Sequence, residues 1–229
     1  MASIVSTSSL VTIVSKPVSP FDGKGDVVWY DDFESGRRWA FTPAANAAFN
    51  TMAPLANINS DGKGAVGYIQ APANGIATIS SFLYLPNTTR VGVELSFLAQ
   101  GFMAFEMRVY VYTGSQRHRH ALYFNSVGGA PLIAASLYRR NASFNLVPVQ
   151  LLASAGSWEA WKLVFNITTG QLVRALFGNL SFDLAGQSGE ISANSTPQSL
   201  EIYLMVYSLV ANQAVYIDNF ILTKDEPER

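Results

Sequence analysis

Three segments of the chain carry polar side chains at every second position. Glu94 stands between Val93 and Leu95. Glu106, Arg108, Tyr110 and Tyr112 alternate with Phe105, Met107, Val109 and Val111, and Glu201, Tyr203 and Tyr207 alternate with Ile202, Leu204 and Val206. Successive side chains of an extended backbone leave opposite faces, so each polar series shares one side of its strand. If these strands lie side by side, the whole set projects from one sheet face. Tyrosine rings on such a face can stack on sugar rings while carboxylates and an arginine hydrogen-bond to hydroxyls. The same residues also suit a solvent face, or one buried against a neighbouring subunit, where Tyr and Arg are enriched.

Hydrolysis is the sharper version of that chemistry. Glycosidases place two carboxylates about 5 Å apart when they retain configuration and about 6.5–9.5 Å apart when they invert it. Glu94, Glu106 and Glu201 are the residues from which such a pair would come.

Three further groups have chemical potential. In Gln116-Arg117-His118-Arg119-His120, an extended backbone puts both histidines on one face, as a metal pair requires, but sets Arg117 and Arg119 opposite. Polar residues entering a strand after the Thr113-Gly114 turn are the simpler reading. Arg139 and Arg140, with Arg108, Arg117 and Arg119, could form a local basic patch facing an acidic subunit or an anionic glycan. Asp31, Asp32, Glu34 and Asp218 supply hard oxygen ligands of the kind calcium takes, if the two ends of the chain meet; otherwise they cap turns or face water. Asn-x-Ser/Thr triplets at Asn87, Asn141, Asn166, Asn179 and Asn194 are read as turn markers.

The elements that must position these groups are strands. Val91, Val93, Leu95 and Phe97 alternate with polar neighbours, as do Met103–Val111 and Leu200–Val206. Turn signals such as Asn74-Gly75, Thr113-Gly114, Gly128-Gly129 and Thr169-Gly170 separate the runs, and no segment carries a helical stripe. About a dozen short strands at this spacing predict an all-β, two-sheet antiparallel sandwich of jelly-roll type. Residues 1–25 read as an extended N-terminal arm ending in the Pro- and Gly-bearing stretch Lys16–Gly25, and residues 26–229 as a single sandwich domain. The arm either pairs with its own sandwich as a first strand or lies across a neighbouring copy.

Only 14% of the residues are charged, against roughly a quarter in ordinary domains. Little charge is left to keep copies apart, so self-association through sheet edges is favoured. A net charge of −1 argues against nucleic acid as a partner, because counterion release needs a strongly basic surface. With no cysteine there is no disulfide, thiolate metal site or Cys nucleophile. No secretory signal and no transmembrane run is visible, and a P-loop, a dinucleotide glycine fingerprint and a G-x-S-x-G elbow are all missing.

Trp29-Tyr30-Asp31-Asp32-Phe33-Glu34 opens the body. Trp158-Glu159-Ala160-Trp161-Lys162-Leu163-Val164-Phe165 runs through Asn166-Ile167-Thr168-Thr169-Gly170 into Gln171-Leu172-Val173-Arg174, and Val215-Tyr216-Ile217-Asp218-Asn219-Phe220-Ile221-Leu222-Thr223 closes it. Together these resemble the concanavalin A-like lectin/glucanase and laminin G-like sandwiches. The resemblance covers roughly residues 26–223. It implies that the tryptophan-bearing segment and its successor form a hairpin, and that the opening and closing strands lie beside each other. It also implies a structural calcium near those strands. The glucanase signature of two Glu around an Asp within six residues is missing from this sequence, so catalysis is not expected. The expected role is a non-enzymatic structural or interaction protein acting in many copies, such as a virion surface, decoration or tail component. A lectin-like carbohydrate-binding module is the alternative, and a glycoside hydrolase using a Glu pair the third.

Overall fold

The structure is a computed structural model that describes residues 24–33, 39–42, 47–52, 66–85, 88–100, 103–126, 133–139, 142–145, 158–178, 180–208 and 213–227. Within these segments the chain forms strands and no helix. In chain order they are β1 (Asp26–Asp31), β2 (Ala40–Thr42), β3 (Ala48–Met52), β4 (Val66–Ala71), β5 (Gly75–Tyr84), β6 (Arg90–Gln100), β7 (Met103–Tyr112) and β8 (Gln116–Ser126). There follow β9 (Ile133–Arg139), β10 (Ala142–Asn145), β11 (Glu159–Asn166), β12 (Gln171–Phe177), β13 (Leu180–Asp183), β14 (Glu190–Ala193), β15 (Ser199–Ser208) and β16 (Gln213–Lys224).

The strands form two antiparallel sheets. The first has the order β13-β12-β11-β6-β16-β4-β3, with β1 also paired to β16. The second has the order β10-β9-β8-β7-β15-β5-β2, with β14 also on β8. The alternating segments explain why the sheets stack. Val91, Val93, Leu95 and Phe97 of β6, Phe105–Val111 of β7 and Leu200–Val206 of β15 all turn their apolar side chains into one shared core. At its centre Phe97, Phe105, Phe124 and Trp161 pack ring to ring, with Phe124 edge-on to Trp161 at 4.3 Å. Rings of this size bury large apolar areas and dominate the core energetics.

Both pairings implied by the resemblance are present. β11 and β12 form a hairpin, with Trp161 opposite Phe177, and β1 lies antiparallel to β16 with Asp31 opposite Phe220. The expected arm falls on residues 1–25, of which 1–23 lie outside the described residues. The described strands begin at Asp26. No helix among the described residues is long and apolar enough to cross a membrane.

Candidate functional site

The outer face of the second sheet is built by β5, β15, β7 and β8. Because β15 pairs with both β5 and β7 without a register shift, outward residues line up in rows across the strands. One row reads Tyr84, Ser199, Tyr112, Arg117, and the next Phe82, Glu201, Tyr110, Arg119. Then come Ser80, Tyr203, Arg108, Ala121, and after them Thr78, Met205, Glu106, Tyr123. Of the residues singled out as a binding face, Glu106, Arg108, Tyr110, Tyr112, Glu201, Tyr203 and Tyr207 are brought together here.

Glu94 is not among them. Its strand β6 belongs to the first sheet, while β7, which follows it in sequence, belongs to the second. A short connection can close a hairpin or cross between sheets, and the alternation of residues is identical in both cases. Glu94 lies on the opposite side of the sandwich, buried and paired with Lys162 Nζ at 2.8 Å.

The polar groups of the face organise one another. Glu106 accepts from Arg108 Nε at 2.6 Å and from the Tyr207 hydroxyl. Glu201 accepts from the hydroxyls of Tyr112 at 2.7 Å and Tyr203 at 2.6 Å. Burial, and then the hydrogen bond to Glu201, pushes the Tyr112 phenol up to about 12 and raises Tyr203 as well. Burial and Glu106 do the same to Tyr207. These phenols are therefore fixed donors at neutral pH. Burial works against the Arg108 charge, but the Glu106 carboxylate outweighs it and raises the guanidinium pKa.

Glu106 lies opposite Met205, whereas Glu201 is four residues further along the same strand, opposite Tyr110. At about 3.4 Å per residue the two glutamates are offset by roughly 14 Å along the strands. Arg108 and Tyr203 occupy the row between them.

The remaining candidates separate. His118 and His120 share a face, as their spacing requires, but it is the inner face, where both are buried. His120 Nε2 donates to the Gly170 carbonyl at 2.7 Å and its ring packs on Phe165, while burial lowers both imidazole pKa values, that of His120 to about 4. Asp31 accepts from the Phe33 backbone N–H at 2.8 Å and from Trp39 Nε1 at 3.2 Å, and Asp218 from the Asn219 N–H. Asp32 is half-buried and Glu34 lies outside the described residues. Among the described residues no group of three or more His, Cys, Asp or Glu side chains is placed to hold a metal ion. Arg139 ends β9, and Arg140, Asn87, Asn141 and Asn179 lie outside the described residues. Asn166 accepts from the N–H groups of Thr168 and Thr169, and Asn194 from that of Thr196, as turn residues do.

Two features of the face were not singled out from sequence. Phe82 and Tyr84 project beside Glu201 and Tyr112, 41% and 66% exposed, the only large aromatic side chains so open among the described residues. The run Ser80-Ser81-Phe82-Leu83-Tyr84 carried the signal, because it puts large apolar residues on both faces of one strand, Leu83 on one and Phe82 and Tyr84 on the other, and only one face can be core.

No protein-family model matches the chain, and no curated protein matches it in sequence. Solved structures do match its fold. The conserved carbohydrate esterase of the Shiga toxin-encoding bacteriophage phi24B is 10% identical, with a TM-score of 0.56 over 87% of this chain and 99% of that one. The globular domain of T. cruzi calreticulin is 7% identical, with a TM-score of 0.57 over 87% of this chain and 88% of that one. A GH43 glycoside hydrolase with an engineered active site is 10% identical, with a TM-score of 0.52 over 86% of this chain and 40% of that one. At such identities the likeness is one of fold. In architecture the chain is a two-sheet antiparallel β-sandwich, the fold it shares with these structures.

Proposed function

We propose that the protein is a carbohydrate-binding sandwich that holds its ligand on the outer face of the second sheet and does not cleave it. One observation carries the reading: tyrosines from β7 and β15 share one face, and the hydroxyls of Tyr112, Tyr203 and Tyr207 are already committed to Glu201 and Glu106. Such rings are held in place before a ligand arrives, so little side-chain entropy is lost on stacking a sugar against them. Two fold neighbours, a carbohydrate esterase and a glycoside hydrolase, are in keeping with a carbohydrate ligand. The offset of Glu106 from Glu201, with Arg108 and Tyr203 between, favours binding over hydrolysis, since both glycosidase geometries need closer carboxylates. A glycan array followed by titration calorimetry tests the proposal. Tyr110→Ala and Tyr203→Ala should each weaken the best ligand at least about tenfold, roughly 1.4 kcal/mol. Sugar release that disappears in Glu106→Gln or Glu201→Gln would overturn the non-catalytic part.

Assembly in many copies, as in a virion surface, decoration or tail component, is the second reading, compatible with the first. Val27 and Val28 of β1 are exposed on a strand whose described pairing is to β16 alone. Apolar residues on such a strand favour strand-to-strand association. Light scattering on the full chain and on a form lacking residues 1–25 tests it; a monodisperse monomer in both would reject it.

A further inference from the structure

The three arginines on the outer face of the second sheet are not equivalent. Arg108 is held by Glu106 at 2.6 Å, and Arg119 by Glu190 at 3.1 Å, with Glu106 at 4.0 Å. Arg117 has no carboxylate partner among the described residues. Its guanidinium lies 4.9 Å from the centroid of the Tyr110 ring, and its buried Nε has no hydrogen-bond acceptor. Stacking on a ring satisfies the flat face of a guanidinium, while its N–H groups still point outward in the plane.

The unpaired cation ends an aromatic row. Tyr110 lies 6.5 Å from Tyr112, Tyr112 lies 6.1 Å from Phe82, and Phe82 lies 5.0 Å from Tyr84. The row runs from Arg117 on β8 across β7 and past β15 to the exposed rings of β5. A neutral oligosaccharide would use the rings and leave the guanidinium idle. A sugar bearing a carboxylate would use both, because a planar carboxylate matches the guanidinium fork.

We infer that the ligand of this face is an acidic oligosaccharide, with a uronate carboxylate on Arg117 and adjoining sugar rings along the exposed Phe82 and Tyr84. This rests on the carbohydrate-binding reading above and narrows it to a charge class. Glu106 and Glu190 neutralise the other two arginines, so the recognition is local rather than a general attraction for anions.

The test is calorimetric titration of the full chain with oligogalacturonate and with its fully methyl-esterified form, at low and at physiological salt. Oligogalacturonate should bind at least about tenfold more tightly than the ester, the scale of one charge-assisted hydrogen bond, and salt should weaken only the acid. Arg117→Gln should abolish that preference, so that acid and ester bind equally. Lys224→Gln, an equal change of charge at an exposed position on the other sheet, should preserve the preference, and matching melting curves exclude misfolding. Equal binding of acid and ester, or an Arg117→Gln protein that still prefers the acid, would overturn the inference while sparing carbohydrate binding. Failure of both ligands, and of every other glycan on an array, would overturn both.

Discussion

Replacing Glu226 by Gln should cost the sandwich far more than a surface carboxylate would. Glu226 is fully buried beside β16, over the outer face of the first sheet. One carboxylate oxygen faces Lys162 Nζ at 2.7 Å and accepts from the Thr223 hydroxyl, and the other accepts from Arg174 Nη2 at 2.9 Å. Lys162 also pairs with Glu94, so two buried cations meet two buried carboxylates. Burial alone would lower the Lys162 pKa, but Glu94 and Glu226 outweigh it and raise the pKa above 10.5. The ammonium is therefore charged throughout the neutral range, and its stabilising contribution is lost only as pH rises through that elevated value.

Glutamine keeps the shape but removes one charge, leaving two cations against Glu94. Its amide also presents an N–H₂ where one of two cationic donors needs an acceptor. Breaking a buried pair in this way costs about 3–5 kcal/mol. For a chain of this size that is a fall of roughly 6–20 °C in melting temperature, at about 2–4 °C per kcal/mol. Calorimetry and urea titration would measure it, with a shifted midpoint at unchanged slope. Glu190→Gln is the comparison, because that carboxylate is 60% exposed and pairs with half-exposed Arg119, so about 0–1 kcal/mol is expected. If Glu226→Gln cost no more than Glu190→Gln, the desolvated network would not exist and the reasoning would fail.

Two other substitutions probe the inner face of β8. The His120 imidazole is neutral in the fold down to about pH 4, whereas the unfolded chain takes up a proton near 6.5. Its contribution is therefore present above pH 6.5 and lost as pH falls to 4, about 3 kcal/mol in all. His120→Gln should flatten the stability curve between those values, and parallel wild-type and mutant curves in acid urea titrations would contradict this. Gly170 has φ +69°, and an added Cβ would sit 2.2 Å from the His118 ring. Gly170→Ala should thus lose at least about 1–2 kcal/mol from backbone conformation alone, and an unchanged melting temperature would show that the turn does not press on His118.

Much of this arrangement was legible in the sequence, and the failures have physical causes. Period-two alternation in β6, β7 and β15 identified which side chains share a face, because the pleat enforces it locally. Alternation says nothing about which sheet a strand joins, and Glu94 was misplaced for that reason. The histidine pair was rightly put on one face, but an imidazole held neutral by burial fits the core as well as the surface. Lys162 had a visible signal, a lone cation between Trp161 and Leu163 in the apolar run ending at Phe165. Its partners did not. Glu94 and Glu226 are distant in sequence, and Lys224-Asp225-Glu226-Pro227 reads as a solvated charged stretch until β16 brings it over β6 and β11.

The two sheets treat their outward charges in opposite ways, and this separates stability from binding. On the first sheet Gly92 has no side chain, and a Cβ there would come within 2.8 Å of Thr223, Glu226 and Lys162 at once. The missing side chain leaves room for the carboxylate and the ammonium to meet away from water, where each needs the other. On the second sheet Glu106 and Glu201 orient half-buried tyrosines, and Arg117 is left without a carboxylate among the described residues. A charge removed from the first sheet leaves a buried partner uncompensated, so its effect should appear in unfolding. A charge removed at Arg117 leaves none, so its effect should appear only when a ligand is present. Melting curves and titrations on the same pair of variants, Glu226→Gln and Arg117→Gln, should therefore give opposite rankings.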